Sequence, residues 1–315
     1  MDVLTDVLAA VRLESAVYYQ SELALAEWGL SFLAIQHAVF HIVKDGLCWL
    51  SVESGGEPLC LRAGDLLVLP HGTHHYVTSQ PNLQTMFTID LMDYVGKESY
   101  CAHYGDEPTA TTLICGMFHV GARDVVPLLE LLPPILHFRS GESAHAHLAP
   151  ILHALMSEAR SQQPGNQVIL TRLADVLFVQ VLRGWLADSA NAAAGWLGAL
   201  CDPHIAHALS EIHRSPAHDW DVETLARSAA MSRSAFAASF RALVGEPPMA
   251  YLRRWRMTLA RNLLEREDST LLAIADQLGY GSEAAFNKAF KQEVGIAPGA
   301  YRRGRATRLP SLNRN

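Results

Sequence analysis

The stretch MSRSAFAASFRALVGEPPMAYLRR, residues 231–254, is repeated in the chain 50 positions later. The second copy contains SEAAFNKAFKQEVGIAPGAYRR, residues 282–303. The matched positions are Ser232 with Ser282, Phe236 with Phe286, Phe240 with Phe290, Gly245 with Gly295, Pro248 with Pro298 and Tyr251 with Tyr301. A self-match of this kind indicates one supersecondary unit that is used twice.

Each copy predicts a helix with a marked beginning and end. Ser232 and Ser282 are candidate N-caps, because a serine hydroxyl can accept the free N–H groups of a first helical turn. Gly245 and Gly295 suit the left-handed position that follows a helix, and a proline comes soon after each. The faces opposite the phenylalanines carry small and polar residues, namely Arg233, Ser234, Ala237, Ala238 and Arg241 in the first copy and Glu283, Ala284, Asn287, Lys288 and Lys291 in the second.

A short apolar helix is predicted before each capped helix, over residues 222–230 and 271–280. Two such helices joined by a tight turn form a helix-turn-helix, whose second helix enters the DNA major groove. Residues 248–267 predict a connecting helix of about 30 Å, which can hold two recognition helices about one turn of B-DNA apart. The competing interpretation is a helical adaptor without a DNA role.

Charge is divided unevenly along the chain, whose net charge is −7. Residues 1–203 contain 9 Lys and Arg against 21 Asp and Glu, whereas residues 204–315 contain 16 against 11. The basic C-terminal part is therefore the predicted nucleic-acid surface, and the acidic part is a separate module.

On these residues, the segment 204–303 resembles the tandem helix-turn-helix domain of the AraC/XylS family of bacterial transcription regulators. The run LLAIADQLGYGSEAAFNKAFKQEVGIAPGAYRR, residues 271–303, follows the family signature closely. The resemblance implies a sequence-specific DNA-binding regulator, more often an activator than a repressor. Its implied partners are double-stranded promoter DNA, RNA polymerase, a small-molecule effector and a second copy of the chain.

The resemblance also implies which side chains face the groove. In the second recognition helix, Asn287 suits adenine, Lys288 guanine and Glu283 cytosine. In the first, Ala237 and Ala238 are too short for paired base contacts, although they can touch a thymine methyl group. Contacts to phosphate, which position a protein without reading sequence, are expected from Ser232, Ser282, Arg253, Arg254 and Arg256, and after the last helix from Arg302 and Arg303.

The acidic part changes, between about Ala16 and Val120, to short β-rich runs separated by turns that contain glycine. Many short strands without long helices between them predict a β-sandwich or a small barrel. A leading helix is predicted before the strands, over residues 3–13. Together with the helical C-terminal part, this pattern predicts a multidomain α+β protein.

One β-rich segment, GDLLVLPHGTHH at residues 64–75, resembles a cupin motif, in which a strand leads to a Pro/Gly turn that directs a histidine into the barrel mouth. Residues 38–50 stand in place of the other cupin motif, without its usual histidine pair and glutamate. The resemblance is to the cupin-like sensor domains that accompany AraC-type DNA-binding domains, and it implies an effector pocket beside His41 and His75. Since imidazole also suits Zn or Fe, a divalent metal held by His37, His41 and His75 is the alternative, and with it a metal-dependent cupin enzyme fused to a DNA-binding domain.

Two further helices are predicted, over residues 145–161 and 166–187. The second is apolar around most of its circumference and must be covered on more than one side, by a second subunit or within one chain. The predicted organisation is a cupin-like effector-sensing domain at 1–140, a helical dimerisation pair with a linker at 141–203, a double helix-turn-helix domain at 204–304 and a flexible tail at 305–315.

Five cysteines at irregular spacing indicate reduced thiols in a cytoplasmic protein. Cys48 and Cys115 lie in apolar strand contexts, where a free cysteine usually behaves as a small buried hydrophobe. A redox-responsive regulator, the other alternative, would need exposed thiolates of low pKa. The most apolar stretch, residues 173–187, contains two charged residues and is too short to span a bilayer, so no membrane role is expected.

Overall fold

The computed structural model describes residues 3–10, 13–53, 55–94, 100–106, 108, 110–120, 129, 132–161, 163–187, 198–266 and 269–306. The chain divides into a sheet unit, residues 13–121 and 128–189, and a helical unit, residues 1–12, 122–127 and 190–315. The domain boundaries expected from the sequence place residues 1–12 with the strands instead, and they remain predictions. Most of the predicted linker and of the tail, residues 188–197 and 307–315, lies outside the described residues.

Two β-sheets form the sheet unit, which confirms the predicted cupin-like sandwich. One sheet has the strand order β11-β6-β3-β10-β1-β9 and the other the order β5-β4-β7-β2-β8. The strands are β1 Leu13–Leu23, β2 Gly29–Phe32, β3 Ala38–Asp45, β4 Leu47–Val52, β5 Leu59–Arg62, β6 Leu66–Leu69, β7 His75–Thr78, β8 Phe87–Ile89, β9 Tyr100–Tyr104, β10 Thr111–Val120 and β11 Leu136–Phe138.

Apolar side chains fill the space between the two sheets. Tyr19, Trp28 and Phe32 are almost fully buried there, together with aliphatic residues from both sheets. The turn of the cupin motif closes against this core at Gly72, which has φ +59°, and a Cβ atom there would lie 2.2 Å from the carbonyl oxygen of His37. Glycine is therefore required at this turn, as the motif predicts.

Asp65 ties the strand β11 to the sheet. Its carboxylate accepts hydrogen bonds from the backbone N–H of Ser140 at 2.8 Å and of Arg62 at 3.1 Å. The Nε2 atom of His137 lies 2.9 Å from the same carboxylate, and both side chains are nearly buried. The sequence pattern did not predict β11, because three residues after two prolines are too short for a periodic signal.

Two helices complete the sheet unit, α2 Ala149–Glu158 and α3 Asn166–Ala187. The helix α3 has the predicted bounds and packs against β1 and α2. Its Asp175 accepts a hydrogen bond from the backbone N–H of Ser15 at 3.1 Å, and the ring of Phe178 contacts that of Phe118 of β10 in a tilted arrangement at 5.0 Å. The helix is therefore held to the sheet along one side.

The helical unit contains the remaining helices, α1 Val3–Ala10, α4 Pro203–Arg214, α5 Val222–Ser228, α6 Arg233–Val244, α7 Pro248–Arg266, α8 Leu271–Gln277, α9 Glu283–Val294 and α10 Pro298–Ala306. The pairs α5–α6 and α8–α9 are the two predicted helix-turn-helix units, and α7 connects them. The leading helix α1 packs against α4 and α7. The predicted tandem helix-turn-helix fold is confirmed.

Both recognition helices are capped as predicted. The Oγ of Ser232 accepts a hydrogen bond from the N–H of Ala235 at 3.3 Å, and the Oγ of Ser282 accepts one from Ala285 at 3.2 Å. Gly245 ends α6 with φ 89° and Gly295 ends α9 with φ 84°. The repeated residues therefore set where each recognition helix begins and ends.

The two helix-turn-helix units differ in the turn. The helices α5 and α8 end 49 residues apart, at Ser228 and Gln277, whereas α6 and α9 begin 50 residues apart. Each turn contains one residue in the left-handed region, which is Ala230 at φ 52° in the first unit and Gly279 at φ 74° in the second. A left-handed alanine is strained by about 1–2 kcal/mol, whereas glycine is not.

We expect the substitution Ala230→Gly to raise the free energy of unfolding of the helical unit by about 0.5–1 kcal/mol. The relief of strain exceeds the entropy that glycine adds to the unfolded chain. Urea unfolding monitored by circular dichroism measures the change. The control is Ala238→Gly in the exposed middle of α6, which should destabilise by about 1 kcal/mol. Equal destabilisation by both changes would contradict the prediction.

Candidate functional site

The first recognition helix, α6, exposes the side chains that the sequence predicted to face DNA. Arg233, Ser234, Ala238 and Arg241 are exposed, and Ala237 is half-buried. These positions lie on one face because α-helical residues four apart are neighbours. The face therefore offers two cations and a hydroxyl around a flat centre formed by two methyl groups.

The second recognition helix, α9, presents a more polar face. Glu283, Ala284, Lys288 and Lys291 are exposed, and Asn287 is half-buried. An amide, a carboxylate and a lysine ammonium within two turns are groups that can read base edges in the major groove. The two helices thus have the same framework but different chemistry toward a ligand.

Buried aromatic side chains fix the orientation of both faces. In α6, Phe236 and Phe240 are fully buried with ring centroids 5.5 Å apart, and Phe240 contacts the ring of Tyr251 edge-on at 5.8 Å. The second unit repeats this arrangement with Phe286, Phe290 and Tyr301, the last two at 5.5 Å. Since the phenylalanines point into the core, the opposite residues must point outward.

The predicted phosphate contacts divide into two groups. Arg253 and Arg303 are exposed, and the hydroxyls of the two capping serines are exposed as well. Arg254, in contrast, is mostly buried and forms an ion pair with Glu246. Arg256 donates hydrogen bonds to the carbonyl oxygens of Pro216 at 2.7 Å and His218 at 2.9 Å.

These internal bonds disfavour a phosphate role for Arg254 and Arg256. The guanidinium of Arg256 also lies over the ring of Tyr280, at 5.5 Å from its centroid. Arg302 similarly donates to the carbonyl oxygen of Ser269 at 2.7 Å. The sequence could not show these partners, because they are distant along the chain.

A buried histidine under the first helix-turn-helix unit was missed in the sequence. His213 of α4 is 7% exposed, stacks on the indole of Trp255 at 3.9 Å, and lies with its Nε2 atom 2.7 Å from the hydroxyl of Tyr251. Burial lowers the pKa of His213 to about 3. A neutral imidazole therefore supports the tyrosine that packs on Phe240.

In the sheet unit, the structure brings His41 and His75 together, as the cupin motif implies. Their Nε2 atoms lie 2.7 Å apart, and the Nδ1 atom of His41 lies 3.0 Å from the Sγ of Cys115. The ring of Phe32 stacks on His75 at 5.0 Å. Both histidines are almost completely buried, with exposures of 1% and 0%.

The cluster consists of His41, His75 and Cys115, and its hydrogen bonds determine which of its atoms carry hydrogen. The Nδ1 of His75 lies 2.7 Å from the carbonyl oxygen of Thr73, which can only accept, so this nitrogen carries the hydrogen. The Nε2 of a neutral His75 must then accept from the Nε2–H of His41. The Nδ1 of His41 in turn accepts from the thiol of Cys115. Every group is neutral and satisfied.

The pKa shifts have the directions that this neutral chain requires. Burial lowers the pKa of His75 to about 4, and burial together with the neighbouring His75 lowers the pKa of His41 well below its ordinary value. Burial raises the pKa of the Cys115 thiol and of the Cys48 thiol. Neither of these thiols meets the requirement for an exposed, low-pKa thiolate, which disfavours a redox switch at Cys48 or Cys115.

The donor geometry does not fit the predicted metal site. His41 uses its two ring nitrogens on opposite sides, toward His75 and toward Cys115, so the three donors do not converge. His37, the third predicted ligand, is not part of this cluster, and the described residues contain no group of three His, Cys, Asp or Glu placed to hold a metal ion. A metal-dependent enzyme is therefore not supported by these residues.

We expect the sheet unit to lose stability as the pH falls below about 6.5. A histidine whose pKa is lowered in the folded state binds a proton more readily when the chain is unfolded, so stability falls with pH between 6.5 and 4. For His75 the loss is on the order of 1 kcal/mol by pH 5.5. Urea unfolding at pH 7.5, 6.5 and 5.5 measures it.

The variant His75→Gln should flatten this pH dependence, whereas His153→Gln on the exposed side of α2 should leave it unchanged. Burial of His213 also makes the stability of the helical unit fall as the pH is lowered. Unfolding must therefore be followed by a fluorescence or NMR probe in the sheet unit. An unchanged slope in His75→Gln would contradict the assignment.

Comparisons with known proteins agree with this architecture. The chain matches a family model described as a cupin over residues 2–187 and one described as a helix-turn-helix domain over residues 225–304. A putative AraC-like transcription regulator of Streptomyces lividans is 37% identical over 304 residues, which cover 96% of this chain and 98% of that protein. The transcriptional regulator AlkR of Acinetobacter baylyi is 30% identical over 312 residues, which cover 96% of this chain and 99% of that protein.

Among solved structures, the DNA-binding domain of the global transcriptional factor AdpA, in complex with a target DNA, is 34% identical. It covers 35% of this chain and 98% of its own, with a TM-score of 0.33. None of the helices in the described part of the chain combines the length and the apolar character needed to cross a membrane. The extent and identity of the two full-length matches show that the chain belongs to the family of AraC-like, DNA-binding transcription regulators, with a cupin domain at its N-terminal end.

Proposed function

We propose that the protein is a cytoplasmic, dimeric transcription activator that binds promoter DNA through both recognition helices and recruits RNA polymerase under the control of a small effector. The observation that carries the proposal is the repeated, capped unit in which buried phenylalanines hold a polar face outward. The direct contacts are assigned to the exposed faces of α6 and α9, and the phosphate contacts to Arg253 and the capping serines.

The two recognition helices are expected to contribute differently. Because α9 offers Asn287 and Lys288, it should carry most of the base readout, each good contact being worth about 1–3 kcal/mol. The centre of the α6 face consists of alanines, so this helix should contribute mainly through Arg233 and Arg241 to phosphates.

We expect Asn287→Ala and Lys288→Ala to weaken binding to the specific site by about 10- to 100-fold and to relax its sequence preference. Arg241→Ala should instead weaken binding to all sequences and make the dependence on salt less steep, by about one unit in the logarithmic slope. Fluorescence anisotropy with a promoter fragment recovered by genome-wide occupancy, at several salt concentrations, measures both effects.

Two exposed positions serve as controls, Gln292→Ala at the rim of α9 and Arg214→Ala at the end of α4. Both should leave affinity and salt dependence within about twofold. If Asn287→Ala and Lys288→Ala bind like these controls, the helical-adaptor interpretation replaces DNA reading by α9.

Support for a dimer comes from the outer face of α3. Val168, Ile169 and Val176 are 65%, 46% and 46% exposed and lie within about 100° of one another around the helix. Apolar residues clustered on one helix face are typical of a surface that another chain covers. This face is the proposed dimer interface, in line with the predicted dimerisation pair.

We expect the double variant Ile169→Asp, Val176→Asp to shift the protein from dimer to monomer, since each introduced carboxylate would have to be buried. Sedimentation velocity over a range of concentrations measures the dissociation constant, which should rise at least 10-fold. The control Met86→Asp replaces an equally exposed apolar residue of the sheet unit. A dimer that resists the double change would place the interface elsewhere.

A further inference from the structure

A cleft of about 790 Å³ lies inside the sheet unit, between the β1–β9 edge of the larger sheet and the turn that joins α2 to α3. Gln20 and Glu22 of β1 and Cys101 of β9 form one wall, and Gln20 is paired with Cys101 in the parallel register of these strands. The other wall consists of polar residues of the turn, namely Arg160, Ser161, Gln163, Asn166 and Gln167. Volumes of about 300–1,000 Å³ are those of small-molecule sites.

The charged groups of this cleft are available to a ligand. Arg160 is exposed, and within the described part of the chain its guanidinium has neither a hydrogen-bond nor an ion-pair partner. A planar guanidinium with five N–H donors matches a carboxylate in a bidentate pair. The side chain is therefore a suitable anchor for a small anion.

On the opposite wall, the carboxylate of Glu22 makes only long, weak hydrogen bonds with the described residues. It receives long contacts from the Nε2 of Gln20 at 3.3 Å and the Nδ1 of His103 at 3.4 Å. An ionised carboxylate has about four acceptor sites, so further donors can be bound. Gln20 itself is 9% exposed, which makes this wall a partly buried polar surface.

We propose that this cleft binds the effector, and that the effector is a small carboxylate that also carries amino or hydroxyl groups. The carboxylate would pair with Arg160, and the amino or hydroxyl hydrogens would be donated to Glu22, while the amide side chains accept and donate around them. This inference rests on the proposed function in one respect, which is that ligand binding controls a DNA-binding regulator.

The position of the cleft connects it with the proposed dimer face. Asn166 and Gln167 line the cleft and begin α3, and the exposed Val168 and Ile169 follow directly. A ligand that links Glu22 of the sheet to Arg160 of the turn fixes the start of α3 against β1. The buried pair His41 and His75 offers a ligand no comparable polar groups, because its donors and acceptors already satisfy one another.

Calorimetric titration of the full-length protein tests the proposal with a panel of defined probes. The panel comprises L-alanine and L-glutamine as amino acids, lactate and gluconate as hydroxy acids, glucose as a neutral molecule and putrescine as a cation. We expect at least one carboxylate to bind with a dissociation constant below about 1 mM, and neither glucose nor putrescine to bind. An amino acid as the better ligand would assign an ammonium group to Glu22, and a hydroxy acid would assign hydroxyl groups.

Three variants localise the binding. Arg160→Gln and Glu22→Gln should each weaken the ligand at least 10-fold, whereas Arg183→Gln, which removes an exposed charge elsewhere on α3, should not change it. Saturating ligand should also slow the labelling of the Cys101 thiol by a maleimide, in a background where Cys201 is replaced by serine. Because Arg160 and Arg183 are exposed and Glu22 is only half-buried, unchanged circular dichroism and thermal midpoint are expected for each variant.

The cleft proposal is overturned if no carboxylate of the panel binds, or if Arg160→Gln and Arg183→Gln bind the ligand equally well. Anisotropy with the promoter fragment, with and without the probe, is measured in parallel. Specific DNA binding that no probe alters overturns the cleft as effector site and leaves the DNA-binding function intact. If the unaltered protein shows no specific DNA binding, the proposed function is overturned. The titration then still decides whether the cleft binds a carboxylate.

Discussion

The burial of paired phenylalanines beneath each recognition helix is the interaction on which the DNA-binding unit depends. Removing a fully buried phenylalanine side chain typically costs about 3–5 kcal/mol, which is comparable to the whole stability of a small domain. The rings of Phe240 and Phe290 each contact a tyrosine at the same position of the following helix. Because this inner face is the same in both units, evolution of the outer face can change its chemistry without changing its geometry, as the difference between α6 and α9 illustrates.

Local signals account for most of what the sequence predicted correctly. Capping serines, terminal glycines and a 3.6-residue apolar period act within a few residues, so α3, α6 and α9 could be placed from the sequence. The strand β11 was missed because a segment of three residues holds little periodic information. The partners of Arg254 and Arg256 depend on chain segments up to 40 residues away, and no pattern within the helix reveals them.

The histidine cluster shows the same limit within the predicted site. The cupin motif correctly indicated that His41 and His75 lie near each other, but their contact depends on strand register. Cys115 lies beside His41 because β10 pairs with β3 at these two residues, which the sequence cannot specify. Once the register is known, the hydrogen bond from His75 to the carbonyl oxygen of Thr73 fixes which nitrogens carry hydrogen, and no imidazole lone pair is left for a metal or an effector.

Polar groups in the sheet unit therefore fall into two classes. The histidines between the sheets, His41 and His75, are neutral and hydrogen-bonded, since an unpaired charge there would be costly to bury. Those of the cleft, Glu22 at the β1–β9 edge and Arg160 in the facing turn, are accessible, so the energy of pairing them is still available to a ligand. The helix α3 begins at this edge, packs on β1 along its length and exposes its apolar face on the other side. The helix α3 thus joins the charged cleft to the proposed dimer face, because Val168 and Ile169 directly follow the cleft residues Asn166 and Gln167. A ligand that changes the tilt of α3 would therefore change the spacing of the two subunits in the proposed dimer.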